Sequence, residues 1–377
     1  MRKRILLIES RFNSYYGAQK SMVKLIKVLL LNYEVKVLTT KDGVLSKQLK
    51  NENIEVDIVD LGNVANSFGK RFPDFSLVNK IKFILQILTF NKKLMNYIKQ
   101  NKIDLVYVNN LRTLIYSILA IKLSMKKVVI YIRQDIRDNF INRLVLYFSN
   151  YIITIAHGVL DDFTPKWVQR NQKKIYNVYT GFNFPKHLKS IEGSMKGNIK
   201  IGFVGSFTER KGLDLLIEAY KDLFRIYPNL SLVLAGKKEK GFEQYWSEIE
   251  GVIRDYNLDI EVLGYITDME EFYNSIDFLV LPSRSEGLPR VVIEAMGYGV
   301  PVIASDVGGT REIIINNETG LLVNKDAIGE LISSIKLLIN SRKLRKKLGN
   351  NGRTFVRENF NEIIFEKNVN KVFDLIT

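Results

Sequence analysis

Short apolar runs alternate with helical patterns along the whole chain, and this alternation limits the possible folds more than any other feature. In the first half the runs are Arg4–Ile8, Val35–Thr39, Val56–Leu61, Leu105–Asn109, Val128–Ile132 and Ile152–Ala156. Between them, Lys20–Leu31, Leu77–Lys99, Leu111–Ser124 and Asn139–Ser149 carry apolar residues at helical spacing. The second half repeats the scheme with Ile199–Val204, Leu230–Ala235, Glu261–Leu263, Phe278–Leu281 and Pro301–Ala304. Strands that alternate with helices predict parallel sheets covered on both faces. With 377 residues the chain exceeds the size at which a single core keeps growing, so two such domains are expected. Phe182–Gly197 holds Pro185, Gly193 and Gly197 among polar residues and reads as the linker. Asn361–Ile376 closes the chain with an amphipathic helical pattern.

Charge separates the two halves. Residues 1–190 hold 32 Lys and Arg against 13 Asp and Glu, a net of +19; the remainder holds 24 against 27, a net of −3. A codon bias towards Lys would act on both halves, so the asymmetry points to an anionic partner for the first: lipid headgroups, nucleic acid or an acidic glycan. The chain has no Cys, which excludes disulfides and thiolate metal sites and fits a reducing, cytoplasmic location. The basic start Met1–Arg4 leads into an apolar run that ends at Glu9, too short for the core of a signal peptide. No stretch approaches the roughly 20 apolar residues of a membrane span.

Residues 283–312 carry the densest chemistry. Asp277–Leu281 enters as a buried strand, a turn presents Glu286 and Gly287, Pro289 suits the first turn of a helix, and Glu294 lies on that helix. Val300–Ala304 is the next strand, and Gly308-Gly309 forms a second turn with backbone alone to offer. A helix N-terminus above a parallel sheet favours a phosphate. Eight residues of helix span at most about 12 Å. Glu286 and Glu294 therefore do not suit the pair of a retaining glycosidase, whose carboxylates sit about 5–5.5 Å apart. They suit two ends of one elongated ligand, such as a sugar nucleotide with its diphosphate at the helix N-terminus. In isolation, either Glu would read as part of a solvated helix face.

This string resembles the donor-binding signature of glycosyltransferase family 4, the retaining GT-B enzymes of the glycosyl transferases group 1. The signature is a Glu, seven residues and a second Glu, here Glu286 and Glu294, continued through Pro301–Glu312 and Gly320–Val323. It also covers Gly202–Gly212. The resemblance is specific over about residues 198–325 and architectural before that. It implies two Rossmann-like, doubly wound parallel-sheet domains facing across a cleft. The expected parts are an acceptor-binding domain over 1–182, a linker over 183–197, a donor domain over 198–360 and a last helix, 361–377, crossing back to the first domain.

The resemblance also assigns roles. Glu294 would bind ribose hydroxyls, Glu286 would meet the donor sugar, and Lys211 with the Gly287 and Leu288 amides would hold the diphosphate. Gly205 and Gly308-Gly309 would let the backbone approach the donor, and the turn at Tyr265 and Ile266 would meet the nucleobase. Ser206 stands where the family often has an Arg, and Arg210 is a substitute for it or a plain surface charge. Gly17 follows Tyr16 where relatives often have two glycines; a simple helix-start turn explains it equally well. Arg133, where many relatives carry a His, would contact a phosphate or an acidic acceptor with Asp135 orienting it or acting as base. An Arg–Asp surface pair is the alternative. His157 reads as structural. No metal is expected and no cofactor, since a helix dipole and cations neutralise a leaving diphosphate.

The expected activity is retaining transfer of a sugar from a nucleotide-diphospho-sugar to a glycan or lipid-linked acceptor in capsule, lipopolysaccharide or related envelope synthesis. Rival readings are a catalytically silent partner subunit, a nucleotide-sugar epimerase and a nucleic-acid binder, the last without any reader motif. The helix Leu77–Lys99 combines an apolar face with five Lys, so it is either core packing or a surface for an anionic bilayer; the charge asymmetry favours the bilayer, at the inner face of the membrane.

Overall fold

A computed structural model describes residues 2–15, 17–67, 75–185 and 198–377. The chain forms two compact units, each built on a parallel sheet. The first comprises Met1–Ile155, Asp162–Thr180 and Phe365–Thr377; the second comprises Ala156–Asp161 and Gly181–Ile364.

The first sheet has the strands β1 (Arg4–Glu9), β2 (Glu34–Thr39), β3 (Val56–Ile58), β4 (Leu105–Val108), β5 (Lys127–Ile132), β6 (Tyr151–Thr154) and β7 (Ile175–Asn177). Their order is β3-β2-β1-β4-β5-β6-β7, parallel throughout. Helices on both faces leave the central strands no solvent side, so Leu105–Val108 is buried at every residue and reads as an unbroken apolar run. The second sheet has β8 (Ile199–Val204), β9 (Leu230–Ala235), β10 (Ile260–Gly264), β11 (Phe278–Leu281), β12 (Val302–Ser305) and β13 (Leu321–Val323), in the order β10-β9-β8-β11-β12-β13 and again parallel.

In each sheet the winding reverses once, between β1 and β4 and between β8 and β11. Connections leaving neighbouring strands there diverge to opposite faces and open a crevice at the carboxyl ends, where ligands of such sheets bind.

Local chemistry sets the helix starts. Asn110 and Asn139 cap the helices Leu111–Leu123 and Phe140–Phe148 by accepting from the amides of Thr113 and Asn142, each at 2.9 Å. Pro289 sits one residue before the helix Arg290–Gly297. The last helix, Glu362–Ile376, belongs to the first unit from Phe365 onward, where Tyr33 donates its hydroxyl to Asp374 Oδ1 at 2.7 Å. Ala156–Asp161, placed in the first domain by the sequence reading, groups with the second unit. Most of the expected linker, residues 186–197 with His187 among them, lies outside the described residues, as does Tyr16.

The expected runs form strands, several of them trimmed or shifted by a residue or more at an end: Val56–Leu61 shortens to Val56–Ile58, and Ile152–Ala156 becomes Tyr151–Thr154. Two edge strands, β7 and β13, went unrecognised because three residues give no periodicity. The helices Val44–Asn51, Glu243–Asp255, Ile328–Asn340 and Arg342–Asn359 were also absent from the sequence reading.

Candidate functional site

The second unit brings the sequence-flagged residues to the carboxyl ends of β8 and β11, where the winding reverses. After β8 come Gly205, Ser206 and a short 3-10 turn, Glu209–Lys211. Gly212 ends that turn at φ 67°, and a Cβ there would lie 1.9 Å from the Pro282 carbonyl oxygen after β11. Both the left-handed backbone and the close approach require glycine at this position. Hydrogen bonds lace the two loops together: Arg284 N donates to Arg210 O at 2.8 Å, and the Arg210 side chain donates from Nη1 to Ser285 O at 2.9 Å. The Arg284 guanidinium binds Asp214 through Nη2 at 2.6 Å and Asp326 through Nε at 2.7 Å, which fixes the loop from behind.

Glu286 is 6% exposed and is the electrostatic centre of this arrangement. Its Oε1 accepts from Lys211 Nζ at 2.5 Å and from Ser283 Oγ at 2.6 Å, and its Oε2 lies 3.6 Å from Arg210 Nη1. Burial alone would push its carboxyl up, but Lys211 and then Arg210 hold it below the ordinary carboxylate value, so it is charged at neutral pH. The Lys211 stem runs past Gly205, where an added Cβ would meet its Cδ at 3.4 Å.

Glu294 has different partners. Arg290 Nη2 lies 3.2 Å from its Oε1, and the Tyr273 hydroxyl donates to its Oε2 at 3.3 Å. Burial and then Glu294 push the Tyr273 hydroxyl well above its ordinary value, so it remains a neutral donor. Tyr273 stacks on Tyr298 with ring centroids 5.2 Å apart. The second glycine turn packs onto the first loop: Gly309 N donates to Gly287 O at 2.8 Å, and a Cβ on Gly309 would lie 2.3 Å from that same oxygen. Glu312 fixes the start of the buried stretch Gly158–Leu160, accepting from the amides of His157 at 3.0 Å and Gly158 at 2.8 Å. The His157 ring plays no part in that contact, and the residue is exposed. Leu288 is buried, whereas Tyr265, beyond the end of β10, is 67% exposed with half-buried Ile266 after it.

In the first unit, Arg133 lies in a recess of about 90 Å³ at the ends of β1, β4 and β5. Arg133 Nε donates to Asn109 Oδ1 at 3.0 Å, Nη2 donates to the Tyr107 hydroxyl at 3.2 Å, and the guanidinium lies 3.7 Å from the Tyr131 ring centroid. Nη1 is buried without a hydrogen-bond partner among the described residues. Asn109 in turn donates to the fully buried Glu9, which also accepts from Asn110, both at 2.6 Å. Asp135 is half-buried beside the recess. Gly17 opens the helix Gly17–Asn32, and its neighbours Ala18 and Gln19 line the same recess.

The sequence reading missed Ser283, Tyr273, Arg290 and Glu9. Ser283 was visible beside Glu286. Glu9 had a signal, a carboxylate ending an apolar strand, but was read only as the end of a hydrophobic run. Tyr273 is brought in by tertiary packing, which no local pattern records. No group of three or more His, Asp or Glu that would hold a metal ion occurs among the described residues.

The model of the family described as "Glycosyl transferases group 1" matches residues 186–355, and that of "Glycosyl transferase 4-like" matches residues 27–155. An uncharacterized glycosyltransferase of Methanocaldococcus jannaschii is 35% identical over 217 residues, 56% of this chain and 58% of that protein. The matched stretch thus spans little more than half of that relative. An α-1,4-N-acetyl-D-galactosaminyltransferase of Campylobacter jejuni, named for a glycan on PP-undecaprenol, is 24% identical over 345 residues, 89% of each chain. The crystal structure of Anabaena Alr3699/HepE in complex with UDP has a TM-score of 0.81 at 18% identity and covers 99% of both chains, a likeness that establishes the GT-B fold. Both halves thus match models of glycosyl transferases, and these matches together with the GT-B fold support a place among the group 1 glycosyl transferases.

Proposed function

We propose that the protein transfers a sugar, with retention, from a nucleotide-diphospho-sugar to a glycan or lipid-linked acceptor in cell-envelope polysaccharide synthesis. The observation that carries this reading is the buried Lys211–Glu286 pair, which locks the loops after β8 and β11 together where the winding of the sheet reverses. An ammonium has three donors, and Glu286 takes one, leaving two for phosphate oxygens. Lys211, the Gly287 and Leu288 amides and Arg210 hold the diphosphate; Gly205, Gly308 and Gly309 give it room. Glu294 receives the ribose hydroxyls, the backbone at Tyr265 and Ile266 receives the base, and Glu286 meets the sugar. The Anabaena protein's complex with UDP supports a uridine nucleotide as the first donor to test.

The acceptor side is assigned to the first unit. Arg133 Nη1 supplies a buried donor, unfilled among the described residues, for an anionic acceptor, with Asp135 beside it, and Gly17 opens the helix whose first turn lines that recess. The acceptor hydroxyl attacks C1 on the face from which the diphosphate departs. The C1–O bond to phosphate breaks, the C1–O bond to the acceptor forms, and the acceptor proton passes to the departing phosphate oxygen. Such a step needs positioning and electrostatic stabilisation, with no protein nucleophile and no metal. The undecaprenol-linked glycan in the Campylobacter relative's name supports a lipid-linked acceptor, and hence work on the cytoplasmic side of an anionic membrane.

A thermal-shift screen over UDP-, GDP- and ADP-sugars tests the donor assignment, because a ligand that binds only the folded state raises Tm. One nucleotide series should shift the wild type, and Glu294→Ala should abolish that shift without lowering the ligand-free Tm by more than a few degrees. No shift with any nucleotide sugar would refute the reading and favour a silent partner subunit. Turnover of donor without acceptor into an epimer would make the protein an epimerase.

A further inference from the structure

Three consecutive helices of the first unit, Leu77–Gln100, Leu111–Leu123 and Phe140–Phe148, lie side by side. Asn91 Nδ2 donates to Tyr116 O at 2.7 Å and Asn91 Oδ1 accepts from Ala120 N at 2.7 Å, joining the first helix to the second. Lys122 Nζ stands 5.8 Å from the Phe148 ring centroid, joining the second to the third. The core-facing work of these helices falls to buried residues such as Phe90, Leu94, Leu114, Ile121 and Leu146.

Each helix also carries a second apolar stripe that faces water. On the first helix it comprises Leu77, Val78, Ile81, Ile84, Leu85 and Leu88, all at least half exposed. Ile115, Leu119 and Leu123 continue it on the second, four residues apart. Phe140, Ile141, Leu144, Tyr147 and Phe148 continue it on the third, with Phe140 and Tyr147 exposed by 77% and 74%. Scattered apolar residues are ordinary on a protein surface, but side-by-side stripes on three packed helices form a contiguous patch, which marks an interaction face.

Charge identifies the occupant. The three helices contain no Asp or Glu, and they carry Lys80, Lys82, Lys92, Lys93, Lys99, Arg112 and Lys122, with Arg143 already paired to Asp138 just before the third helix. Lys92 and Lys99 follow Ile81 by about three and five whole turns, so they extend the apolar stripe with cations. A second copy laid face to face would set these cations against themselves. A bilayer with anionic headgroups satisfies both features: acyl chains take the apolar stripes, phosphates take the ammonium groups, and Tyr147 sits at the headgroup level.

We propose that the outer face of these three helices is the surface by which the protein lies on an anionic bilayer. The assignment deepens the membrane-side reading of the acceptor by naming the face that makes the contact. It does not depend on sugar transfer, because lipid binding is read with no donor present.

The chain supplies its own reporter. It has two Trp, of which Trp246 is buried in the second unit, while Trp167 lines a groove of this face with Phe140, Arg143, Leu144 and Tyr147. Flotation with vesicles of phosphatidylcholine alone, and of phosphatidylcholine with phosphatidylglycerol, measures the partition. In a Trp246→Phe background, phosphatidylglycerol vesicles with brominated acyl chains should quench Trp167. Binding should weaken as salt rises. Ile81→Asp with Leu85→Asp and Tyr147→Asp should reduce the partition by at least about tenfold, with unchanged Tm because all three side chains are exposed. Ile226→Asp with Leu337→Asp, exposed apolar residues of the second unit, should leave it unchanged. Absence of binding, binding without quenching, or full binding by the triple variant would overturn the proposal. So would concentration-dependent self-association without vesicles that the triple variant abolishes, which would make the face a contact between copies. Loss of the nucleotide-sugar shift alone would refute sugar transfer and leave this face standing.

Discussion

Lys211 Nζ lies 2.5 Å from Glu286 Oε1, with the two side chains only 13% and 7% exposed. The pair crosses between two loops distant in sequence, so folding must complete both before either charge is satisfied. Removing one partner strands the other in a poorly solvated place. Lys211→Ala should therefore lower the unfolding free energy by about 3–5 kcal/mol. Glu286→Gln keeps the shape and a hydrogen-bonding oxygen and should cost less. Urea unfolding of the three proteins at neutral pH checks the order.

The same pair sets a pH dependence. Glu286 is held below its ordinary value of 4.5 in the folded protein. A depressed folded value means that the unfolded chain takes up the proton first as acid is added. The stabilisation is thus complete above the ordinary value and is lost as pH falls through the folded one. The gap in unfolding free energy between wild type and Glu286→Gln should be constant near neutrality and shrink below about pH 4.5. A gap that widens on acidification would show that Glu286 is not the stabilised carboxylate.

Two glycines separate backbone strain from steric overlap. Gly212 and Gly264 have nearly the same φ, 67° and 70°, but a Cβ on Gly212 would lie 1.9 Å from Pro282 O, whereas one on Gly264 would meet nothing within 4 Å. Gly264→Ala should cost about 1–2 kcal/mol, the penalty of the left-handed backbone alone. Gly212→Ala should cost more, because a main-chain oxygen cannot swing aside as a side chain can, and it should also weaken nucleotide-sugar binding by displacing Lys211. Equal unfolding midpoints for the two variants would contradict the close approach.

How much of this was legible in the sequence follows from where the information lies. The central strands were readable because burial on both faces forces continuous apolar runs, as in Leu105–Val108 and Phe278–Leu281. The edge strands Ile175–Asn177 and Leu321–Val323 are short and paired on one side only, so composition barely constrains them. Glu286, Glu294 and Lys211 stood out through their spacing in a recognisable string. That Lys211 would be engaged by Glu286 was not legible, because the two lie 75 positions apart and meet only through the β8–β11 pairing. Glu9, buried beneath Asn109 and Arg133, was hidden for the same reason. The basic amphipathic pattern of Leu77–Lys99 was visible, but only exposure in the folded unit distinguishes its outer stripe from its core stripe.

Arg133 offers the test of the acceptor side. Its Nε and Nη2 are engaged by Asn109 and Tyr107, so its position is fixed while buried Nη1 is without a hydrogen bond among the described residues. Arg133→Met keeps an unbranched apolar stem and removes the guanidinium that lies over the Tyr131 ring. If Nη1 binds an anionic acceptor, this variant should retain the full nucleotide-sugar thermal shift while its KM for acceptor rises by about tenfold or more, the loss of one charge-assisted hydrogen bond. The lost bonds to Asn109 and Tyr107 lower Tm in either case, so KM decides: a structural role alone would leave it unchanged. Asn109→Leu separates the two further: it removes an acceptor from Arg133 and a donor from Glu9, so it should destabilise the first unit by about 2–4 kcal/mol whatever the acceptor is. Transfer kinetics with saturating donor, run beside thermal unfolding of both variants, would decide whether Arg133 faces a substrate or only its own fold.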